Sequence, residues 1–324
     1  MLGIQPERME LTQVADSVYA VTQLGKPTVL GWSNSGLIDS GDGLVVDTFW
    51  DRPLTNELLG LYAGVRSERP GTLVNTHHNV DHTGGNSAMH GARIIAHANC
   101  AAAMEAEAGM HGLFQALADA DPATLEPAQA ALAEELRPFD HASVELELPT
   151  ESVEEATELE LGGTAVRLIP MGPAHTDNDM VVHLPEQNVL FTGDLLFNQC
   201  TPIGWAGTTQ LWMDSLDAMV ALEPEVVVPG HGPVCDTDGL LGLRDYFAYV
   251  LREARVFFDR GVAVDDACRQ IDLGPYGEWE APERLVFNVQ RAYNEFAGDT
   301  AATIDAADMM SRAFALKPAL KPAR

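Results

Sequence analysis

The stretch Asn75-Thr76-His77-His78-Asn79-Val80-Asp81-His82-Thr83-Gly84-Gly85 places three imidazoles, a carboxylate and two amides within eleven residues, directly after the apolar run Leu73-Val74. A short apolar run of this kind reads as a strand, so His77 stands where a strand ends. Three other runs end the same way. Ala165–Pro170 leads to His175, Val189–Thr192 to Asp194, and Val226–Val228 to His231. Glycine or proline flanks each junction and lets the backbone turn sharply. In an α/β sheet the loops that leave the carboxyl ends of strands converge on one rim. One histidine after a strand is more often a hydrogen-bonded structural residue than a ligand, whereas four His or Asp groups delivered to one rim make a metal site.

The motifs resemble those of the metallo-β-lactamase superfamily, whose signature runs T-H-x-H-x-D-H-x-G-G. The match falls on Thr76, His77, Asp81, His82, Gly84 and Gly85, and the segments Gly172-Pro173-Ala174-His175-Thr176, Thr192-Gly193-Asp194 and Pro229-Gly230-His231-Gly232 are similar to the family's later motifs in order and spacing. The resemblance covers about residues 15–240. It implies an α/β fold, an αββα sandwich of two mixed sheets with helices outside and metals at one edge. By carry-over it also implies a first metal site of His77, position 79 and His175, and a second of Asp81, His82 and His231, with Asp194 bridging. Asp81 takes a catalytic role as well, orienting a hydroxide and accepting a proton. The implied cofactor is zinc, two ions per chain, with manganese and iron as alternatives.

One position departs from the signature. Asn79 stands where the second histidine belongs, and an amide oxygen is a neutral, weaker ligand than imidazole, so the first site should hold its ion less tightly. His78 is one residue out of phase, and successive residues leaving a strand point to opposite sides. It is expected outside the ligand set.

Further along the chain, short strand patterns run through residues 17–47, and a helical pattern covers Pro53 to Val65. Additional strands are expected at Arg93–Ala96, Val144–Leu148 and Met180–His183. Between Asn99 and His141 the sequence is rich in Ala, Leu and Glu at helical spacing, broken at Asp121-Pro122 and closed at Arg137-Pro138, which reads as a helical insertion. After about Asp238, Leu243, Phe247, Val250, Ala254 and Phe257 form the apolar stripe of a helix. A second helix starts at Pro282 and carries Leu285, Val289, Ala292 and Phe296. The expected organisation is a metallo-β-lactamase-fold domain over residues 1–240 and a helical extension over 241–324, packed on the body or used, with Tyr276, Trp279, Arg284 and Tyr293, as a homodimer surface.

The chain has 324 residues with 48 Asp and Glu against 19 Lys and Arg, a net charge of -29. Such an excess of carboxylates repels polyanions and anionic membrane surfaces, so neither nucleic acid nor membrane is an expected partner, and a small molecule is. The one basic cluster, Lys317, Lys321 and Arg324, reads as a frayed end. The first residues show no basic segment followed by an apolar stretch, which predicts a cytoplasmic protein. Cys100, Cys200, Cys235 and Cys268 form no C-x-x-C pair and read as free thiols. His90, His97, His111, His141 and His183 have no partner motif and are expected away from the site. Trp50, Phe197, Trp205 and Trp212 lie near the ligand motifs in or beside loops and are the candidate substrate contacts, forming with the insertion an apolar lid.

These observations predict a metal-dependent hydrolase that uses a metal-activated hydroxide on a small, fairly apolar or neutral ester, lactone, amide or thioester. The alternative on the same fold is a mononuclear iron oxidoreductase, for which a weakened first site is suited. A binding protein without catalysis is the third reading, and the retained ligand residues speak against it.

Overall fold

The computed structural model describes residues 8–24 and 32–317. Its strands are β1 (Met9–Ala15), β2 (Val18–Gln23), β3 (Ser35–Ile38), β4 (Leu44–Val46), β5 (Thr72–Val74), β6 (Arg93–His97), β7 (Glu151–Val153), β8 (Thr157–Leu161), β9 (Thr164–Pro170), β10 (Met180–Leu184), β11 (Val189–Phe197) and β12 (Val226–His231). The helices are α1 (Arg52–Tyr62), α2 (Val80–Thr83), α3 (Cys100–Glu107), α4 (Met110–Asp119), α5 (Pro127–Leu136), α6 (Thr209–Val220), α7 (Thr237–Asp259), α8 (Val264–Gln270), α9 (Leu285–Phe296) and α10 (Ala306–Leu316).

β1 to β7 pair in sequence order as one sheet, antiparallel as far as β4 and parallel from β4 to β7. The second sheet has the order β12-β11-β10-β9-β8, with β11 and β12 parallel. Side chains alternate across a strand, and that period of two builds three apolar layers. Ile38, Leu44, Val46 and Val74 of the first sheet meet Leu168, Met180, Val182 and Phe191 of the second between the sheets. Leu37, Val45 and Leu73 face the other way onto Leu54, Leu58 and Tyr62 of α1. Val181, Leu190 and Val227 face outward from the second sheet onto α6, α7 and α9. Because both faces of the central strands are covered, β10 and β11 are buried along their whole length and lose the polar alternation of a surface strand. The result is the αββα sandwich, with a helical insertion after β6 and helices after β12.

The insertion consists of α3, α4 and α5, broken by a 3-10 turn at Pro122–Thr124, where Asp121 accepts from the amide of Ala123. Leu132 and Leu136 of α5 join the core under the first sheet, and α5 also packs against α10. The helices after β12 share one apolar core with the second sheet, through Leu243, Phe247 and Val250 of α7 and Leu285 and Val289 of α9. A fully buried aliphatic side chain of this kind contributes ~1.5–3 kcal/mol relative to exposure.

Several sequence expectations need correction. Val144–Leu148 forms no strand. A 3-10 turn at His141–Ser143 precedes it, and its alternating pattern finds no neighbouring strand to pair with, so β7 begins at Glu151 instead. β1, β8, α2, α6, α8 and α10 were not foreseen. Lys317 is not frayed: its ammonium pairs with Glu283 at 3.0 Å and Glu135 at 3.4 Å, while Lys321 and Arg324 lie outside the described residues. The four cysteines are free. Among the described residues no helix is long and apolar enough to cross a membrane.

Candidate metal centre

The candidate ligands meet at the edge where β4 and β5 of one sheet and β11 and β12 of the other end. His77 follows β5, Asp81 and His82 sit on the single turn of α2, His175 lies in the loop between β9 and β10, Asp194 is within β11, and His231 closes β12. Two glycines allow this crowding. A Cβ on Gly230 would fall 2.0 Å from Asp194 Oδ1, and one on Gly84 would fall 2.0 Å from the Trp50 carbonyl oxygen. No larger residue lets β12 run so close to the central carboxylate, or α2 so close to the loop after β4.

The side chains form two adjoining groups, His77, His175 and Asp194 in one and Asp81, His82 and His231 in the other, all buried. Asp194 reaches across both. Its Oδ2 lies 3.4 Å from His175 Nε2, 3.8 Å from His77 Nε2 and 3.1 Å from His231 Nε2, and its Oδ1 lies 3.0 Å from His82 Nε2. Asp81 Oδ2 is 3.3 Å from His231 Nε2 and 3.6 Å from His82 Nε2. His77 Nε2, His82 Nε2 and Asp194 Oδ1 are fully enclosed yet make no aligned hydrogen bond. Buried polar atoms without partners are costly, and here they converge on the same small volume, as ligands to a cation do.

Asn79 lies beside the first group. It occupies the N-cap position of α2 without making a cap hydrogen bond, and its side chain turns into the cleft instead. Its Oδ1 stands 2.7 Å from His175 Nε2, while His175 Nδ1 lies 2.6 Å from the Ile203 carbonyl oxygen. Burial pushes the His175 pKa down to about 4, so the ring is neutral at pH 7 and carries one proton. With that proton on Nδ1 facing Ile203, the Nε2 lone pair confronts the amide oxygen. Two lone pairs at that distance require a cation between them, or an amide turned over so that its nitrogen donates to the ring. The donor set of imidazoles, carboxylates and an amide oxygen fits a zinc-type divalent ion.

Asp47, at the end of β4, holds the second group in place. Its Oδ2 is 2.9 Å from His82 Nδ1 and accepts from Thr76 Oγ1 at 2.7 Å, while Oδ1 accepts from the Thr76 amide at 2.7 Å. A carboxylate on the far nitrogen fixes the tautomer of a ligating imidazole and raises its basicity. Burial drives the Asp47 pKa up, although His82 opposes that rise.

The two groups differ electrostatically. Burial, joined by the neighbouring His82, pushes His77 well below the usual imidazole range. Burial acts on His82 and His231 in the same sense, yet Asp194 and Asp81 outweigh it, with Asp47 adding to the effect on His82, and both imidazoles are raised. Burial opposes ionisation of Asp194 and Asp81, but the surrounding histidines overcome it and hold both carboxyls below their usual range.

A cavity of about 260 Å³ opens over the ligands. Of the expected substrate contacts, Trp50, Phe197 and Trp205 line it. Trp50 stacks on Phe139 at 4.5 Å and donates its indole N–H to His141 Nδ1 at 3.1 Å. Phe197 stacks on His231 at 4.9 Å with the rings 8° apart. Trp212 is not in the wall. It lies on α6 behind His175 and Phe197, packs against Phe247 and donates to the Leu195 carbonyl, as a core residue does. His78 lies outside both groups, 3.2 Å from Glu107 Oε1 and 2.9 Å from Asn178 Nδ2, and touches the site through Asn79 Nδ2 at 3.3 Å. Sequence reasoning missed Asp47, although Leu44-Val45-Val46-Asp47 carries the same strand-then-acid pattern that exposed Asp194. It also placed His111 away from the site, whereas His111 lines the cavity with Met110, Phe114 and Leu132 of the insertion, and Arg284 and Met310 reach it from the C-terminal helices.

Residues 30–231 match the family model described as the metallo-beta-lactamase superfamily. A Metallo-beta-lactamase type 2 from Bacillus sp. strain 170 is 26% identical over 244 residues, 73% of this chain and 81% of that protein. Among solved structures, a stereoselective inverting sec-alkylsulfatase from Pseudomonas sp. superimposes with a TM-score of 0.65 at 16% identity, covering 90% of this chain and 50% of that one. A metallo-beta-lactamase from Pseudomonas aeruginosa in a mono-zinc form gives 0.53 at 20% identity, covering 74% of this chain and 95% of that one. Because the matched span takes in more than half of the chain and all seven candidate ligands, this chain belongs to the metallo-beta-lactamase superfamily.

Proposed function

We propose that the protein is a zinc-dependent hydrolase of small esters, lactones, amides or thioesters. The observation that carries this reading is the pair of ligand groups joined by Asp194 at the floor of a largely apolar cavity. His77, Asn79 and His175 would hold one ion and Asp81, His82 and His231 the other, with Asp194 in reach of both. Zinc bound there supplies a nucleophile at neutral pH by lowering the pKa of a water from 15.7 to about 7.

The chain's own residues do the remainder. Asp81 lines the cavity and is ionised at neutral pH, so its carboxylate can orient the attacking water and take up its proton. Asp47 holds His82 in one tautomer and orientation. Trp50, Phe197 and Trp205, with Phe114 and Leu132 from the insertion, exclude water and seat the apolar part of the substrate.

The test is zinc-loaded protein, its metal content fixed by elemental analysis, offered p-nitrophenyl hexanoate, an alkyl lactone, an acyl thioester, an anilide, a β-lactam and an alkyl sulfate. Turnover of an acyl substrate that is lost with chelation and restored by zinc supports the reading. Turnover of the alkyl sulfate alone, or one tightly held iron with oxygen consumption, contradicts it.

A further inference from the structure

The metal ligands line only one part of the cavity. Another part is walled by Met110 and Phe114 of α4, Leu132 of α5, and Ala306, Ala307 and Met310 of α10. α10 lies beyond the residues that match the family model and packs against α5, so the insertion and the C-terminal extension build this wall together. Burial falls off along it. Met310 is 7% exposed and Phe114 and Leu132 are half-buried, whereas Met110 is 37% exposed and Ala307 is exposed. Met110 begins α4, and Ala306 and Ala307 begin α10, so the cavity opens between the first turns of these two helices. The rim stays apolar, because Leu113, one turn on from Met110, is 70% exposed.

We infer that the apolar part of the substrate is a straight chain of about eight to ten carbons, which runs from the metal ligands to the gap between α4 and α10, and that Ala306 keeps that gap open. The volume sets the length. An apolar cavity of about 150 Å³ holds one benzene ring, with its six carbons, so a cavity of about 260 Å³ takes roughly ten. Space that a shorter group leaves empty forfeits the contacts of its lining. The side chains suit a flexible ligand. Met110 and Met310 are unbranched and adapt to its conformation, while Ala306 and Ala307 project nothing beyond Cβ into its path. This deepens the hydrolase reading and rests on it only for the bond that is cleaved.

The test is calorimetric titration of the zinc-loaded protein with butano-, octano-, decano- and dodecanohydroxamic acid, whose common head group ligates zinc and holds the series in one register. Affinity is expected to rise about fourfold for each methylene as far as the decano compound, the scale of burying one CH₂. From decano to dodecano it should rise by less than about twofold, because the last carbons lie in water. Valproic hydroxamic acid, a branched isomer of the octano compound, should bind at least about tenfold more weakly than that compound. In Ala306→Phe the ring closes the gap, so the rise should stop at the octano compound while the butano compound binds as in the wild type. Met110→Asn makes the rim polar and should reduce the octano-to-decano step from about 16-fold to less than about fourfold. A flat series in the wild type, a branched isomer that binds as tightly as the straight one, or a rise that Ala306→Phe leaves unchanged overturns the inference. If Ala306→Phe does not fold, an unchanged step in Met110→Asn does so. The predicted series in a protein that hydrolyses none of the acyl substrates contradicts the hydrolase reading alone, and a flat series in a protein that hydrolyses them overturns the chain inference alone.

Discussion

The two ligand groups are neighbours built from different chemistry. His77 and His175 are neutral imidazoles, with the uncharged amide of Asn79 against His175, whereas Asp81 and Asp194 favour the protonated forms of His82 and His231. A divalent ion in the second group would lie beside both Asp81 and Asp194 and would compete with protons for His82 and His231. An ion in the first group would have two imidazoles, the weak oxygen donor of Asn79 and a share of Asp194. The contrast is that the second group has the carboxylate of Asp81 beside that of Asp194, whereas the first has the uncharged amide of Asn79 and only a share of Asp194. Both groups are equally buried, so burial does not explain the difference.

The largest effect that probes this contrast is expected from Asp194→Ala. Among the described residues Asp194 is the carboxylate that lies within 4 Å of histidines in both groups. Its removal should lower metal affinity at both by more than about 100-fold, beyond the ~10–100-fold typical for residues that only orient ligands. Elemental analysis after dialysis checks this, and retention of either ion in full would break the bridging assignment. A smaller effect, confined to one side, is expected from Asp47→Asn. The carboxamide weakens the hold on His82 Nδ1, so affinity at the second group should fall ~10–100-fold while the first changes little. Equal losses at both groups, read from competition with a chromophoric chelator, would show that Asp47 supports the whole edge.

Much of this centre is legible in the sequence because an apolar run precedes His77, His175, Asp194 and His231, and for the last three a glycine or proline stands within three residues of the ligand. Asn79 shows its departure against the signature around His77. The cavity is harder to read. His111, Phe114 and Met310 are ordinary members of helical stripes, and a stripe tells which face is apolar without telling what it covers. Arg284 joins the site only because α5, α10 and the turn before α9 meet above it, through contacts between residues more than a hundred apart in sequence. Trp212 shows the converse error. It follows the Asp194 loop closely, but the capped start of α6 at Thr208 turns it inward to the core. The segment Val144–Leu148 alternates as a strand should, and without a neighbour to pair with it remains irregular.

The inequality of the two groups is tested most directly by titrating zinc into metal-free wild type and Asn79→His while following bound metal by calorimetry against a competing chelator. The wild type should take up one ion tightly and a second at least about tenfold more weakly, and the added imidazole of Asn79→His should bring the two affinities together. Two ions bound with equal affinity by the wild type, or a second affinity that Asn79→His leaves where it was, would contradict the assignment of Asn79 as the source of the difference.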